Sequence, residues 1–160
     1  MNGVSHIALT EDIVLVTVRS QTSENMLIAS IFDEFAREDI VIDMISQTAP
    51  QGSVMDISFT VYSNQMVQAL QVISRVRDQY RQLKIMVSTG NCKLQLYGEE
   101  MREISGVAAS ALLALLANEI DIIMITTSEV DISLVLPASS CQRGIELLEK
   151  TFGVRPTSSL

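Results

Sequence analysis

Tryptophan is absent from these 160 residues, aromatic side chains make up only 4%, and a single histidine, His6, is present. Single-stranded nucleic acid is held by exposed aromatics and tracked by clustered cations. Here eleven Lys and Arg are scattered among nineteen Asp and Glu, for a net charge of −8, so nucleic acid is excluded as a partner. One histidine and two cysteines without ligand spacing, Cys92 and Cys141, cannot assemble an ordinary zinc site. The two are expected as reduced structural thiols, and His6 as a structural histidine. No apolar run is long enough to span a bilayer, and the N-terminus lacks the basic start and apolar stretch of a signal peptide. No membrane partner and a cytoplasmic location are expected. Also missing are a Gly-rich phosphate-cradling loop with its lysine, paired metal carboxylates and a nucleophile beside a base. Neither catalytic residues, nor a metal, nor a cofactor is expected on this chain.

What is abundant is aliphatic. At 48% hydrophobic, the core is expected to be built from Ile, Val, Leu, Ala and Met. The same unit occurs twice: residues 27–47 overlay 107–127 without a gap at an offset of 80. Ala29/Ala109, Ser30/Ser110, Ile40/Ile120, Ile42/Ile122, Met44/Met124 and Ile45/Ile125 are identical pairs. Further on the offset falls to 75, pairing Asp56-Ile57-Ser58 with Asp131-Ile132-Ser133. The second copy has lost five residues between two strands, where a hairpin loop tolerates deletion. A unit of roughly 75 to 80 residues buries only about 60–65% of its unfolded surface, so side-by-side packing or dimerisation is expected to reinforce it.

In the first copy, Val-rich residues 13–19 read as a buried strand and 20–25 as a polar loop. Leu27, Ile28, Ile31, Phe32 and Phe35 recur at helical spacing over 26–38, with Ser23 or Asn25 placed to cap the first turn. A β-branched strand over 40–45, turn residues 49–53 and an alternating strand over 54–61 make a hairpin. Ser63-Asn64 opens a second helix whose inward set is read as Met66, Val67, Leu70, Ile73 and Val76, and 83–87 supplies a last strand. The second copy repeats the order, with a strand at 93–97, a helix at 104–118, a hairpin at 120–136 and a helix at 139–152. It then lacks a fourth strand, while residues 4–9 form an apolar strand that the first copy does not use. The expectation is an α+β protein of two ferredoxin-like βαββαβ units, each an antiparallel sheet with helices on one face. Unit one, residues 13–88, is inserted in unit two, residues 4–11 plus 90–153, and 154–160 form a flexible tail.

A loop leading into a helix aims unpaired N–H groups and the positive end of the helix dipole at an anion such as a carboxylate. Ser23, Glu24, Asn25, Met26, Leu27 and Ile28 form that loop and helix start in the first unit, and Ser105, Gly106, Val107 and Ala108 in the second. Ser23, Asn25 and Ser105 read equally as plain helix caps. The run Thr126-Thr127-Ser128-Glu129 is either an exposed hairpin turn or an effector contact. Arg102 either holds a carboxylate across an interface or pairs with Glu99 or Glu103. Met44 and Met124, at equivalent positions, read as packing residues, and Asp33, Glu34, Glu38 and Asp39 as a solvated face.

The residues resemble the paired ACT domains that form the regulatory part of aspartokinases. Met101-Arg102, Gly106-Val107-Ala108-Ala109 and Ile123-Met124-Ile125-Thr126-Thr127-Ser128-Glu129-Val130 are similar to that family's second unit. Ile42-Asp43-Met44-Ile45-Ser46-Gln47 and Asp56-Ile57-Ser58-Phe59-Thr60-Val61 are similar to its first, and 4–9 looks like its opening strand. The resemblance implies that Val41, Ile42, Asp43, Gln47 and Thr48, with Ile122, Thr127, Ser128 and Glu129 in the second unit, add contacts to a bound amino acid, Asp43 meeting its ammonium. Where many members carry Asp-x-Pro-Gly, this chain has Ser23-Glu24-Asn25-Met26; losing that Gly implies a lost or altered ligand in unit one.

Implied by the resemblance is an amino-acid-binding regulatory module of an aspartokinase, dimeric, with lysine or threonine as effector and a catalytic domain or subunit as partner. The kinase domain itself is absent from these residues. The rival expectations are a free-standing tandem-ACT protein and a purely structural dimerisation module without effector binding.

Overall fold

Val14, Val16 and Val18 fall two residues apart, which puts their side chains on one face of a strand, and that face packs against helices. A computed structural model of the chain describes residues 3–156. Its strands are β1 (His6–Gln21), β2 (Ile42–Gln47), β3 (Val54–Tyr62), β4 (Lys84–Tyr97), β5 (Met124–Thr127) and β6 (Asp131–Pro137). The helices are α1 (Asn25–Arg37), α2 (Met66–Gln79), α3 (Val107–Leu116) and α4 (Cys141–Phe152), each preceded by a 3-10 turn. The flexible tail expected over 154–160 lies, from 157 onward, outside the described residues.

The chain divides into two units: Asp12–Thr89, and the residues up to Glu11 together with those from Gly90 onward. In the first unit the strand order is β2-β3-β1-β4, antiparallel, with Val16 opposite Phe59 and Ile42 opposite Val61. Its core joins Val14, Val16 and Val18 to Ile31 and Phe35 of α1 and to Ala69, Val72, Ile73 and Val76 of α2. The rings of Phe32 and Phe35 lie 5.0 and 5.2 Å from that of Phe59. In the second unit the order is β1-β4-β6-β5, and Ser5 N–H donates to Tyr97 C=O at 2.7 Å. The N-terminal strand thus completes the second sheet, and Ile7 joins Leu94, Leu96, Leu115, Leu134 and Leu148 in its core. His6 is exposed, with its ring 4.9 Å from that of Tyr97.

Both copies end their first helix in the same way. Asp39 and Glu119, 80 residues apart in sequence, take left-handed backbone (φ 53° and 59°). Ile40 and Ile120 then return N–H bonds to Phe35 and Leu115 at 3.0 and 3.1 Å, closing a Schellman-type cap. Met44 and Met124 are buried, as packing residues should be. The acidic face of α1 is ion-paired as well as solvated, with Glu34 and Glu38 reaching Arg75 of α2 at 3.5 and 3.0 Å.

Several local expectations are corrected. Strands read as separate at 4–9 and 13–19 are one, as are those at 83–87 and 93–97, because Asp12 (φ 55°) and Gly90 (φ 73°) bend the backbone without breaking the strand. Neither Ser23 nor Asn25 caps α1: Asn25 is its first residue, and no side chain bonds its start. Val67 is 64% exposed and Leu70 is also exposed, whereas Ala69 and Val72 are buried. The α2 stripe is therefore 69, 72, 73 and 76, rotated from the one read off the larger side chains.

Cys92 and Cys141 form a disulfide, not two reduced thiols, with Cα atoms 6.3 Å apart, a span such a bond bridges. The β4–β6 pairing sets Cys92 opposite Leu136, and the turn at Ala138–Ser140 brings Cys141 back over it. Because the two sulfurs are bonded to each other, a thiol reagent is expected to titrate none in the native or the denatured chain. It should titrate both after denaturation with a reductant; thiols appearing on denaturation alone would contradict the bond.

Candidate functional site

In the second unit α3 begins where Gly106 takes a φ of 87°, a left-handed conformation that glycine adopts at little cost. A Cβ there would meet nothing within 4 Å, so the glycine serves the turn and not close packing. The first helical bond is Ser110 N–H to Gly106 C=O at 2.9 Å, and no side chain caps the start. The amides of residues 107–109 therefore precede the first bonded turn and point out of the helix end.

Facing this end is the hairpin turn between β5 and β6. Ser128 N–H donates to Asp131 C=O at 2.9 Å. The Ser128 hydroxyl accepts from the amides of Val130 and Asp131 at 3.2 and 3.1 Å and donates to the Asp131 carboxylate. Asp131 also accepts from Gln95 Nε2 at 3.0 Å and from the Ser133 hydroxyl at 3.2 Å. Burial pushes the Asp131 carboxyl up. The hydrogen bonds from Ser128, Gln95 and Ser133, with the charge of Lys93, outweigh it and hold the group below its ordinary value. The hydroxyl of Ser128 is thus consumed in shaping the turn, which leaves Thr127 and Glu129 exposed at its rim.

The third wall is the 3-10 turn Glu99–Arg102. Met101 N–H bonds Gly98 C=O at 3.1 Å, and Gly98 N–H bonds Val130 C=O at 2.9 Å, which ties this wall to the hairpin. Arg102 lies 3.6 Å from Glu99 and, through Nη1, 3.4 Å from Glu129. Between the three walls is a cleft of about 610 Å³, lined by Met101, Arg102, Ile104, Gly106, Val107, Ala108, Thr127, Ser128, Glu129 and Ile132. Its size suits a small metabolite.

Of the second-unit residues read from sequence, Gly106, Val107, Ala108, Thr127, Ser128 and Glu129 meet in this cleft. Ser105 is in the exposed turn just before it, and Ile122 precedes β5 at the far end of the hairpin, partly buried against the core. Met101, Ile104 and Ile132 were not among the expected site residues. The 3-10 turn that carries Met101 gives no periodic signal, and Ile132 reads simply as core.

In the first unit the expected residues are not gathered in one place. Ser23 and Glu24 are in the 3-10 turn Thr22–Glu24, and Asn25, Met26, Leu27 and Ile28 are the first turn of α1, with Ile28 buried in the core. Gln47 and Thr48 end β2 at the same end of the sheet; Thr48 N–H and hydroxyl both turn to Asp56 C=O, at 2.9 and 3.2 Å. Val41, Ile42 and Asp43 lie at the other end. Gln21, just before the α1 turn, is opposite Val54, whereas Ile42 is opposite Val61. The seven steps along β3 from Val54 to Val61 span about 23 Å at ~3.3 Å each. Val41 N–H donates to Gln65 Oε1 at 2.9 Å. Asp43 is beside Tyr62, whose phenol is pushed up by burial first and then by the charge and hydrogen bond of Asp43. Near the α1 start, Ser20 Oγ and Glu24 Oε2 are buried without a hydrogen-bond partner among the described residues.

The β2-β3-β1-β4 and β1-β4-β6-β5 sheets, with both helices of each unit on one face, define two ferredoxin-like units of the ACT type. Residues 94–152 match the model of the ACT domain. The aspartokinase of Bacillus sp. strain MGA3 is 28% identical over 149 residues, covering 93% of this chain and 36% of its own length. The regulatory subunit of aspartate kinase from Thermus thermophilus, solved ligand-free, superposes with a TM-score of 0.85 at 25% identity, over 94% of this chain and 99% of that one. A solved structure of aspartokinase alpha and beta subunits gives 0.83 at 29% identity, over 94% and 99%. The chain spans 36% of the length of the curated relatives it matches. It corresponds to the regulatory ACT region of aspartokinases and not to their catalytic kinase domain.

Proposed function

We propose that this chain senses a free amino acid, lysine or threonine, and passes the signal as a dimer to an aspartokinase catalytic domain or subunit. The observation that carries this reading is the second-unit cleft. It combines helix-start amides for a carboxylate, the side chains of Arg102 and Glu129, and an apolar wall at Met101, Ile104 and Ile132. Dimerisation is supported by the apolar neighbours Leu113 and Leu116, left 70% and 55% exposed on one face of α3. A ligand does regulatory work only by binding one arrangement of the assembly better than another, and a difference of about 1–3 kcal/mol suffices.

The test is a thermal-shift titration of the purified chain with lysine, threonine and other amino acids, followed by calorimetry. An effector at a hundred times its Kd should stabilise the chain by about 2.7 kcal/mol, a rise of several degrees. If no amino acid moves the melting temperature or gives heat, the cleft is not an effector site. A dimer of unchanged size and stability across the panel would then favour the purely structural reading.

A further inference from the structure

The proposed function leaves open which side chains the second-unit cleft admits, and the charges along its lining bear on that question. Arg102 is the only cation there and Glu129 the only anion, and they meet at 3.4 Å while both remain largely in solvent, with side chains 55% and 79% exposed. An exposed, solvent-screened pair of this kind is weak, so a ligand can open it at little cost. An α-amino acid is itself a cation and an anion a few bonds apart. Its carboxylate can take the Arg102 guanidinium and the α3 start in place of Glu129, while its ammonium takes Glu129 in place of Arg102. The exchange conserves charge and leaves each group paired.

What remains for the side chain is an uncharged lining, apolar at Met101, Ile104 and Ile132 and polar at Thr127, with no further carboxylate or cation among the lining residues. A second ammonium or carboxylate pressed onto that wall would lose hydration without gaining a partner, which disfavours it strongly. Glu99, outside the lining, is already engaged with Arg102 at 3.6 Å. We infer that the cleft selects an α-amino acid with an uncharged side chain, threonine or a branched aliphatic one, and rejects lysine and aspartate. This rests on the reading of the cleft as an effector site.

Calorimetric titration of the chain with threonine, valine, isoleucine, lysine and aspartate tests the inference, with Arg102→Met and Glu129→Gln as variants whose fold is checked by circular dichroism. At least one neutral amino acid should bind, with lysine and aspartate at least tenfold weaker and each variant losing at least tenfold in affinity for the neutral ligand. Lysine or aspartate binding as tightly as the best neutral ligand would overturn the selectivity while leaving the sensing role intact. Unchanged affinity in both variants would overturn the charge-pair assignment. Binding of none of the five would overturn the sensing role, and the inference with it.

Discussion

Phe59→Ala is expected to lower the stability of the chain by about 3–5 kcal/mol, the usual range for removing a fully buried aromatic ring. Phe59 is 0% exposed on the helix side of β3, and the rings of Phe32 and Phe35 pack on it at 5.0 and 5.2 Å. Truncation removes both ring contacts, and α1 and β3 are each held by further core residues, so the hole cannot simply close. Urea denaturation followed by circular dichroism measures the loss. Val67→Ala on α2 is the control, because at 64% exposure it should change stability by no more than about 0.5 kcal/mol. A loss below about 1.5 kcal/mol for Phe59→Ala would show that the first core collapses around the cavity.

That control falls on a residue which reads as buried from sequence alone, and the contrast shows where periodicity stops being informative. Most elements of the fold were legible because duplication prints each of them twice: Ile40 and Ile120 close the same helix cap, and Met44 and Met124 are buried at equivalent positions of β2 and β5. On α2 the apolar residues spread around the helix, and the choice of face fell to the large Val67 and Leu70 over the small Ala69, although close helix–sheet packing favours the small one. The long strands were hidden for another reason. Glu11 and Asp12 are polar and exposed, so they read as a break, while a single left-handed residue lets the strand continue. The candidate site shows the same division. Gly106-Val107-Ala108 and Thr127-Ser128-Glu129 are local in sequence and meet in one cleft. Val41 and Asp43 depended on the pairing register of β2, which sequence pattern does not reveal, and they sit at the opposite end of the sheet from the α1 start. The disulfide was invisible because it depends on how a helix returns over a strand.

Gly98→Ala is expected to cost at least about 3 kcal/mol, at the upper end of what an inserted methyl group does in a packed interior, and to abolish any effector-dependent thermal shift. The backbone at Gly98 is extended (φ −173°), so conformational freedom is not the reason for glycine here; space is. A Cβ would overlap the carbonyl oxygen of Gly3, and would sit 2.8 Å from the Gly3 carbonyl carbon and 3.1 Å from Val4 Cα. All three are backbone atoms, so no side chain can swing away to make room. Either the start of β1 moves and breaks the 2.7 Å bond from Ser5 N–H to Tyr97 C=O, or Gly98 moves. Moving Gly98 pulls on its N–H bond to Val130 and its C=O bond from Met101, the two links that hold the hairpin and the Glu99–Arg102 turn as walls of the cleft. Gly106→Ala separates this crowding from a general effect of losing a glycine at the site. It meets no atom within 4 Å and pays only for its φ of 87°, about 1–2 kcal/mol. If Gly98→Ala melts within about a degree of the parent chain and keeps its ligand response, then the strand start is free to shift and Gly98 does not hold the walls together.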